Sequence, residues 1–378
     1  MSRPLDLVVL GLTITSSWGN GHATTYRALL KGFASLGHRV TFLERDVPWY
    51  AAHRDLLSIP GVTVELYGKL EDLSDRFSES VARADAVMLG SYVPDGVDVA
   101  RFVLGTARGV RLFYDIDTPV TLAGLRAGDA SYIDLDGIAR FDAYLSFSGG
   151  LALERLETEF GARLALPLYC SVDPESYAPV GAEPRWDLGY LGTYSEDRQP
   201  TLERLLVEPA RRSSELRFVV GGSRYPELSW PANVERIEHV APASHAEFYG
   251  SQRFTLNVTR RDMIEMGHSP SVRLFEAAAC GVPIISDYWV GLEDFFELDS
   301  EILIASEPVE VLGFLERISE PERRAIAARA RERVLSQHTA YRRARRLERY
   351  VRALQANVGD SLRAPHGVSS EPLLRKGA

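Results

Sequence analysis

Lysine is nearly missing from this chain: Lys31, Lys69 and Lys376 are the only ones among 43 basic residues. Positive charge carried by arginine suits bidentate recognition of anions, but GC-rich coding gives the same bias, so it separates few functions. A basic surplus is missing too. Acidic residues number 52 and the net charge is −9, which argues against a dedicated nucleic-acid binder, whose footprint would be positive. Cysteine is limited to Cys170 and Cys280, both in apolar surroundings. Two so far apart in a chain of this length read as small buried hydrophobes, not as a disulfide scaffold. No apolar run approaches the roughly 20 residues of a membrane span. The opening run Leu5–Gly11 contains Asp6 and has no cleavage pattern, so it reads as a first β-strand and not as a signal peptide. The expected location is the cytoplasm.

What remains is the composition of a globular protein, 45% hydrophobic and 25% charged. Its 378 residues exceed one ordinary core, so two domains are expected. Short apolar runs alternate with helical patterns, the signal of parallel α/β layers. Strands are expected near 5–13, 39–44, 62–67, 85–90, 110–115 and 143–147. Ala23, Tyr26, Leu29, Leu30, Phe33 and Leu36 share one helical face between the first two. The aperiodic run Val180–Pro184 reads as a linker. Strands resume near 187–192, 216–221, 233–238, 253–258, 282–286 and 301–305, with helices at 198–212, 271–280 and 308–318. From Pro321 to about Leu354 the pattern is helical and arginine-rich. The reading is an α/β chain of two Rossmann-like, doubly wound domains facing a central cleft, at 1–180 and 185–338. A helix at 339–356 packs back across them, and residues 357–378 form a loose tail. Ligands of such sheets bind beyond the carboxyl ends of the strands.

The first strand leads into Thr15-Ser16-Ser17-Trp18-Gly19-Asn20-Gly21-His22 and then a helix. Glycines allow close backbone approach, and a helix N-terminus offers free N–H groups to an anion. The dinucleotide fingerprint would need glycine where Thr24 stands, and no P-loop is present. A tight strand-to-helix turn competes with a substrate-facing loop here. The most informative segment is Ser269-Pro270-Ser271-Val272-Arg273-Leu274-Phe275-Glu276-Ala277-Ala278-Ala279-Cys280-Gly281-Val282-Pro283. Ser269 is expected to cap a helix that starts at Pro270 and ends at Gly281. Glu276, on a small apolar helix, needs a partner. Two ribose hydroxyls would serve, as would an i,i+3 pair with Arg273.

Arg273-Leu274-Phe275-Glu276-Ala277, Cys280-Gly281, then Gly291-Leu292-Glu293 with Phe296, resemble the C-terminal domain of CgeB-like (spore maturation protein) glycosyltransferases, relatives of the group-one GT-B enzymes. Ser171-Val172-Asp173-Pro174 with Tyr177 and Pro179 is similar to the segment closing the first domain. Leu191-Gly192-Thr193-Tyr194 with Arg198 resembles the strand and loop opening the second, where a basic residue meets a donor diphosphate. Val220-Gly221-Gly222 and Glu238-His239-Val240 resemble the two loops flanking a nucleobase. The resemblance implies a glycosyltransferase taking a nucleotide-diphosphate sugar, a UDP-sugar first, as substrate, with no separate cofactor. Ser271, Val272, Arg273 and Glu276 would belong to its donor site. The group-one pattern has a second glutamate eight positions before Glu276, where this chain has His268, with Glu265 three residues earlier. Either could meet the transferred sugar, and retention or inversion stays open.

Asn257-Val258-Thr259-Arg260 follows a strand on the same side, and Arg260 is a diphosphate candidate. Phe113-Tyr114-Asp115-Ile116-Asp117 contains an Asp-x-Asp that binds a metal in GT-A enzymes. Here it ends a strand of the acceptor-side domain, so no metal is assigned. Asp117, then Asp115, are candidates for acceptor positioning or general-base work, against a turn-capping role. Alternation points both carboxylates the same way until the turn begins. The acceptor is a sugar, a lipid or another small molecule. The basic stretch Ala340–Tyr350 reads as a terminal helix with solvated arginines, or as a peripheral contact to an anionic membrane. A nucleotide-sugar epimerase or phosphorylase of the same architecture, or a non-catalytic binder, are the alternatives.

Overall fold

A computed structural model describes residues 3–129 and 132–357. The stretch 358–378, read above as a loose tail, lies outside them. Among the described residues, thirteen strands fall into two sheets. β1 (Asp6–Gly11), β2 (Arg39–Arg45), β3 (Val62–Tyr67), β4 (Ala86–Gly90), β5 (Val110–Asp115), β6 (Ala143–Ser146) and β7 (Ala165–Pro167) form the first, ordered β3-β2-β1-β4-β5-β6-β7. β8 (Trp186–Leu191), β9 (Phe218–Gly221), β10 (Val234–Ile237), β11 (Gln252–Asn257), β12 (Ile284–Ser286) and β13 (Leu303–Ile304) form the second, ordered β10-β9-β8-β11-β12-β13. Every pairing is parallel. Parallel sheets are covered on both faces, which is why their strands read as unbroken apolar runs. Val8, Val9, Leu10, Val87, Met88 and Leu89 are all buried.

Each sheet reverses its winding at one place. Leu7 of β1 pairs with Val40 of β2 on one side and Ala86 of β4 on the other. Leu188 of β8 likewise lies between Phe218 of β9 and Phe254 of β11. At such a switch point the two connections leave in opposite directions and open a crevice beyond the strand ends. The α/β fold expected from the alternation is therefore present twice. β7 was not anticipated, because three residues ending in a proline carry too short a pattern.

The arginine-rich stretch after Pro321 holds two helices, Glu320–Gln337 and Ala340–Gln355, the second close to the expected 339–356. Thr339 has extended backbone and its hydroxyl accepts from Arg342 N, so it caps the second helix. That helix lies on His22–Ser35, so closely that a Cβ on Gly32 would stand 3.0 Å from the Ala340 carbonyl oxygen. The helix at 272–279 starts at Val272, with Ser271 and not Ser269 at its N-cap. The Ser269 hydroxyl instead hydrogen-bonds Ser148 Oγ (2.7 Å) and the Gly267 carbonyl (2.8 Å).

Candidate functional site in the cleft between the sheets

Loops from both switch points line one cleft of about 390 Å³, within the range of small-molecule sites. The loop after β1 brings Ser17, Gly19, Asn20, Gly21 and His22, and the end of β5 brings Ile116 and Asp117. From the other half come Thr193, Tyr194, Arg198, Gly222, His239, Val240, Arg260, Ser271, Val272, Arg273 and Glu276. These residues, proposed from separate motifs, share one surface.

The loop after β1 is built on two carboxylates. Glu44, buried at the end of β2, accepts from the hydroxyls of Thr13 and Thr15 and from the N–H groups of Ile14 and Thr15. Asp55 accepts from Ser17 and pairs with Arg27. Asn20 turns inward, donating to the Thr13 carbonyl and accepting from His22 N, so the loop delivers the start of the helix His22–Ser35 to the cleft. The start of Val272–Ala279 faces it from the opposite half. Each helix end carries unsatisfied N–H groups and partial positive charge. Arg198 and Arg260 add full charges. Arg198 Nη2 donates to the Thr193 carbonyl (2.7 Å), while its buried Nε has no hydrogen-bond partner. Such an arrangement is suited to an anion.

Glu276 is 3% exposed, yet among the described residues it forms no ion pair with an arginine, only one with His245. Its carboxylate accepts long hydrogen bonds from Thr24 Oγ1 and from the Tyr249 hydroxyl, both at 3.4 Å, while the Tyr177 hydroxyl also faces it and His245 Nδ1 stands 3.8 Å away. The i,i+3 partner considered for it is engaged elsewhere: Arg273 donates to the Leu191 carbonyl (2.6 Å) and to Asn257 Oδ1 (2.8 Å). A buried carboxylate with lone pairs to spare can receive hydroxyl donors from a ligand.

On the opposite wall Asp117 Oδ2 lies 3.4 Å from His22 Nε2 and accepts from the Tyr92 hydroxyl at 3.1 Å. Burial pushes the Asp117 carboxyl up, but His22, Arg260 and the Tyr92 hydroxyl together hold it below the usual carboxylate range. A carboxylate beside an imidazole can orient it and stabilise its protonated form. Burial pushes the His239 imidazole down, with His245 adding to it, and the ring packs on Trp18 of the first half with centroids 4.8 Å apart.

Five expected site residues are not brought to the cleft surface. Asp115 is fully buried and accepts from the Tyr144 hydroxyl and from Asp117 N, and burial raises its carboxyl. Alternation would have pointed both aspartates one way, but Asp117 is already past the strand, at the N-cap of Thr118–Ala127. Asn257 is satisfied internally by Ser271, Arg273, Thr259 and Ser286. Gly221 is buried at the end of β9. Glu265 is exposed on the helix Arg261–Met266, turned away from the face that carries Met263 into the cleft. His268 has φ of +44° and packs between Gly150 and Gly291, with Nδ1 2.9 Å from Asp294 Oδ2. Thr24, Arg224, His245, Tyr249, Thr259 and Met263 line the cleft without having been singled out. The glycine count at Thr24 and the resemblance at Val240 passed close to two of them. Thr259 stands inside the Asn257–Arg260 segment, and Arg224, Tyr249 and Met263 belong to no motif.

Residues 198–349 match a family described as glycosyl transferase-like. No curated protein matches the chain. Among solved structures, sucrose-phosphate synthase from Thermosynechococcus elongatus superposes with a TM-score of 0.67 at 14% identity, over 93% of this chain and 100% of that one. Anabaena HepE in complex with UDP and glucose gives 0.68 at 14% identity, over 92% and 100%. An alpha-glucosyltransferase in complex with UDP-glucose and DNA containing an abasic site gives 0.69 at 14% identity, over 93% and 100%. The shared fold is GT-B.

Proposed function

We propose that this chain is a glycosyltransferase that moves a sugar from a nucleotide-diphosphate sugar to a hydroxyl acceptor. The observation that carries this reading is the convergence, on one cleft, of two helix N-termini, Arg198 and Arg260 with the buried, arginine-free Glu276. The match of residues 198–349 supports the reaction class, and the UDP named with HepE and the alpha-glucosyltransferase favours a UDP-sugar. The segment from Arg273 to Phe296 supports a CgeB-like assignment within that class.

In this reading the diphosphate lies between the starts of His22–Ser35 and Val272–Ala279, and Glu276 accepts from the two ribose hydroxyls. Val240 and His239 flank the base. Breaking the bond between the anomeric carbon and the diphosphate oxygen places negative charge on the leaving group, where preorganised N–H dipoles and guanidinium groups stabilise it. The acceptor hydroxyl attacks from the side of His22 and Asp117, and that pair takes its proton. Closure of the two halves over the donor limits hydrolysis.

A thermal-shift screen of nucleoside diphosphates and nucleotide sugars tests the reading first, since a ligand present at about 100 times its Kd stabilises the fold by roughly 2.7 kcal/mol. Stabilisation by one nucleoside diphosphate series, followed by its release from the matching sugar donor, is the expected result. Stabilisation by none of them would end the proposal. Turnover of a donor without any acceptor, giving an isomeric sugar nucleotide, would favour an epimerase.

A further inference from the structure

Tyr92 follows β4 with φ of +65°, in the left-handed region that glycine enters freely and a bulky residue enters only with strain. Such a conformation persists where the surroundings over-determine it. Here the Tyr92 hydroxyl donates to Asp117 Oδ2 at 3.1 Å. Its ring packs on Tyr132 with centroids 4.7 Å apart and lies nearly parallel to the His22 ring, 6.3 Å away at 17°.

Asp117 needs such a support. It occupies the N-cap of Thr118–Ala127, where an aspartate side chain ordinarily turns back to accept from the first helical N–H groups. It makes no such bond. The same oxygen that receives Tyr92 faces His22 Nε2 at 3.4 Å. We infer that Tyr92 is a positioning residue, whose hydroxyl holds the Asp117 carboxylate away from the helix cap and against His22. The assignment rests on the transferase reading only for what the pair then does.

The groups facing Asp117 are His22 from the first helix, Arg260 from the loop after β11, Tyr92, Tyr132 and Asp115. Removing the Tyr92 hydroxyl takes away a donor that favours the charged carboxylate, so Asp117 should protonate at higher pH.

Tyr92→Phe keeps the ring and its packing and deletes the hydroxyl, which donates to Asp117 and also meets Tyr132. The Asp117 side-chain carboxyl signal in carbon NMR, identified by its loss in Asp117→Asn, is followed against pH in the full-length wild type and in Tyr92→Phe. The expected result is a rise of about one pH unit in the Asp117 midpoint. Alongside it, kcat for UDP release from UDP-glucose should fall about tenfold with KM unchanged, and the acid limb of the rate profile should move up with the midpoint. An unmoved midpoint overturns the inference, since Tyr92 would then only pack. A moved midpoint with unchanged kcat also overturns it. If the wild type releases no UDP, the transferase reading with this donor fails, and the titration still decides what Tyr92 does to Asp117.

Discussion

Replacing Glu276 separates a binding role from a structural one. Its carboxylate is 3% exposed, on a helix whose neighbours Leu274, Phe275, Ala277 and Ala278 are fully buried. A structural carboxylate at such depth would be paired, because an unpaired buried charge is expensive. Here the measured contacts are two hydrogen bonds at 3.4 Å and an imidazole at 3.8 Å, beyond the usual length of a charge-assisted hydrogen bond, with the Tyr177 hydroxyl as a further neighbour. Glu276→Gln nearly conserves volume and removes the charge, so the free protein should lose no stability and its melting temperature should hold or rise. Donor affinity should fall. Each hydrogen bond to a charged group is worth about 1.5–3 kcal/mol, or roughly 10- to 150-fold in Kd. Calorimetry with the nucleoside diphosphate from the thermal-shift screen measures the loss, and differential scanning fluorimetry of the free variant measures stability. Unchanged affinity would refute the ribose assignment. A free variant that melts several degrees lower would show that Thr24, Tyr177, Tyr249 and His245 already use the carboxylate fully.

Other consequences can be checked separately. Asp117→Asn should leave donor affinity unchanged in calorimetry while lowering transfer by roughly 10²-fold or more, the scale of general-base catalysis. We propose that the leaving diphosphate is stabilised by helix termini and arginines, so EDTA should leave the transfer rate unchanged; rescue by magnesium or manganese would overturn that. Burial, reinforced by Arg343, pushes the His338 imidazole well below its usual range. The unfolded chain then binds a proton below about pH 6.5 that the native chain refuses, so stability should fall by up to roughly 1.4 kcal/mol per pH unit as pH drops from there. Denaturant titrations from pH 7 to 5 should show a shallower decline for His338→Gln. Gly222 has φ of +143°, and a Cβ there would stand 2.0 Å from the Gly192 carbonyl oxygen. Gly222→Ala should therefore cost at least about 1–3 kcal/mol, visible in thermal melts.

Sequence alone settled what depends on near neighbours. Val8–Leu10, Val87–Leu89 and Val219–Val220 are buried because a parallel strand is covered on both faces, and that pattern is written in consecutive residues. Gly19–Gly21, Arg260 and Ser271–Glu276 could be drawn as ligand candidates from strand ends and helix starts, which in a doubly wound sheet face the same crevice, and the family resemblance added Arg198 and Gly222. Tertiary structure decided the rest. Asp115 and Asp117 stand two residues apart, yet one is sealed against Tyr144 and the other faces His22. The divergence arises where strand geometry gives way to a helix cap. His268, which the family resemblance offered beside Glu265 as a contact to the transferred sugar, is held between Gly150 and Gly291 beside Asp294. Tyr92, His245 and Tyr249 belong to no motif and gain meaning only beside Asp117 and Glu276. Periodicity reports which way a side chain leaves its own backbone. What it meets there depends on packing between segments far apart in the chain, such as Thr24 of the first half against Glu276 of the second.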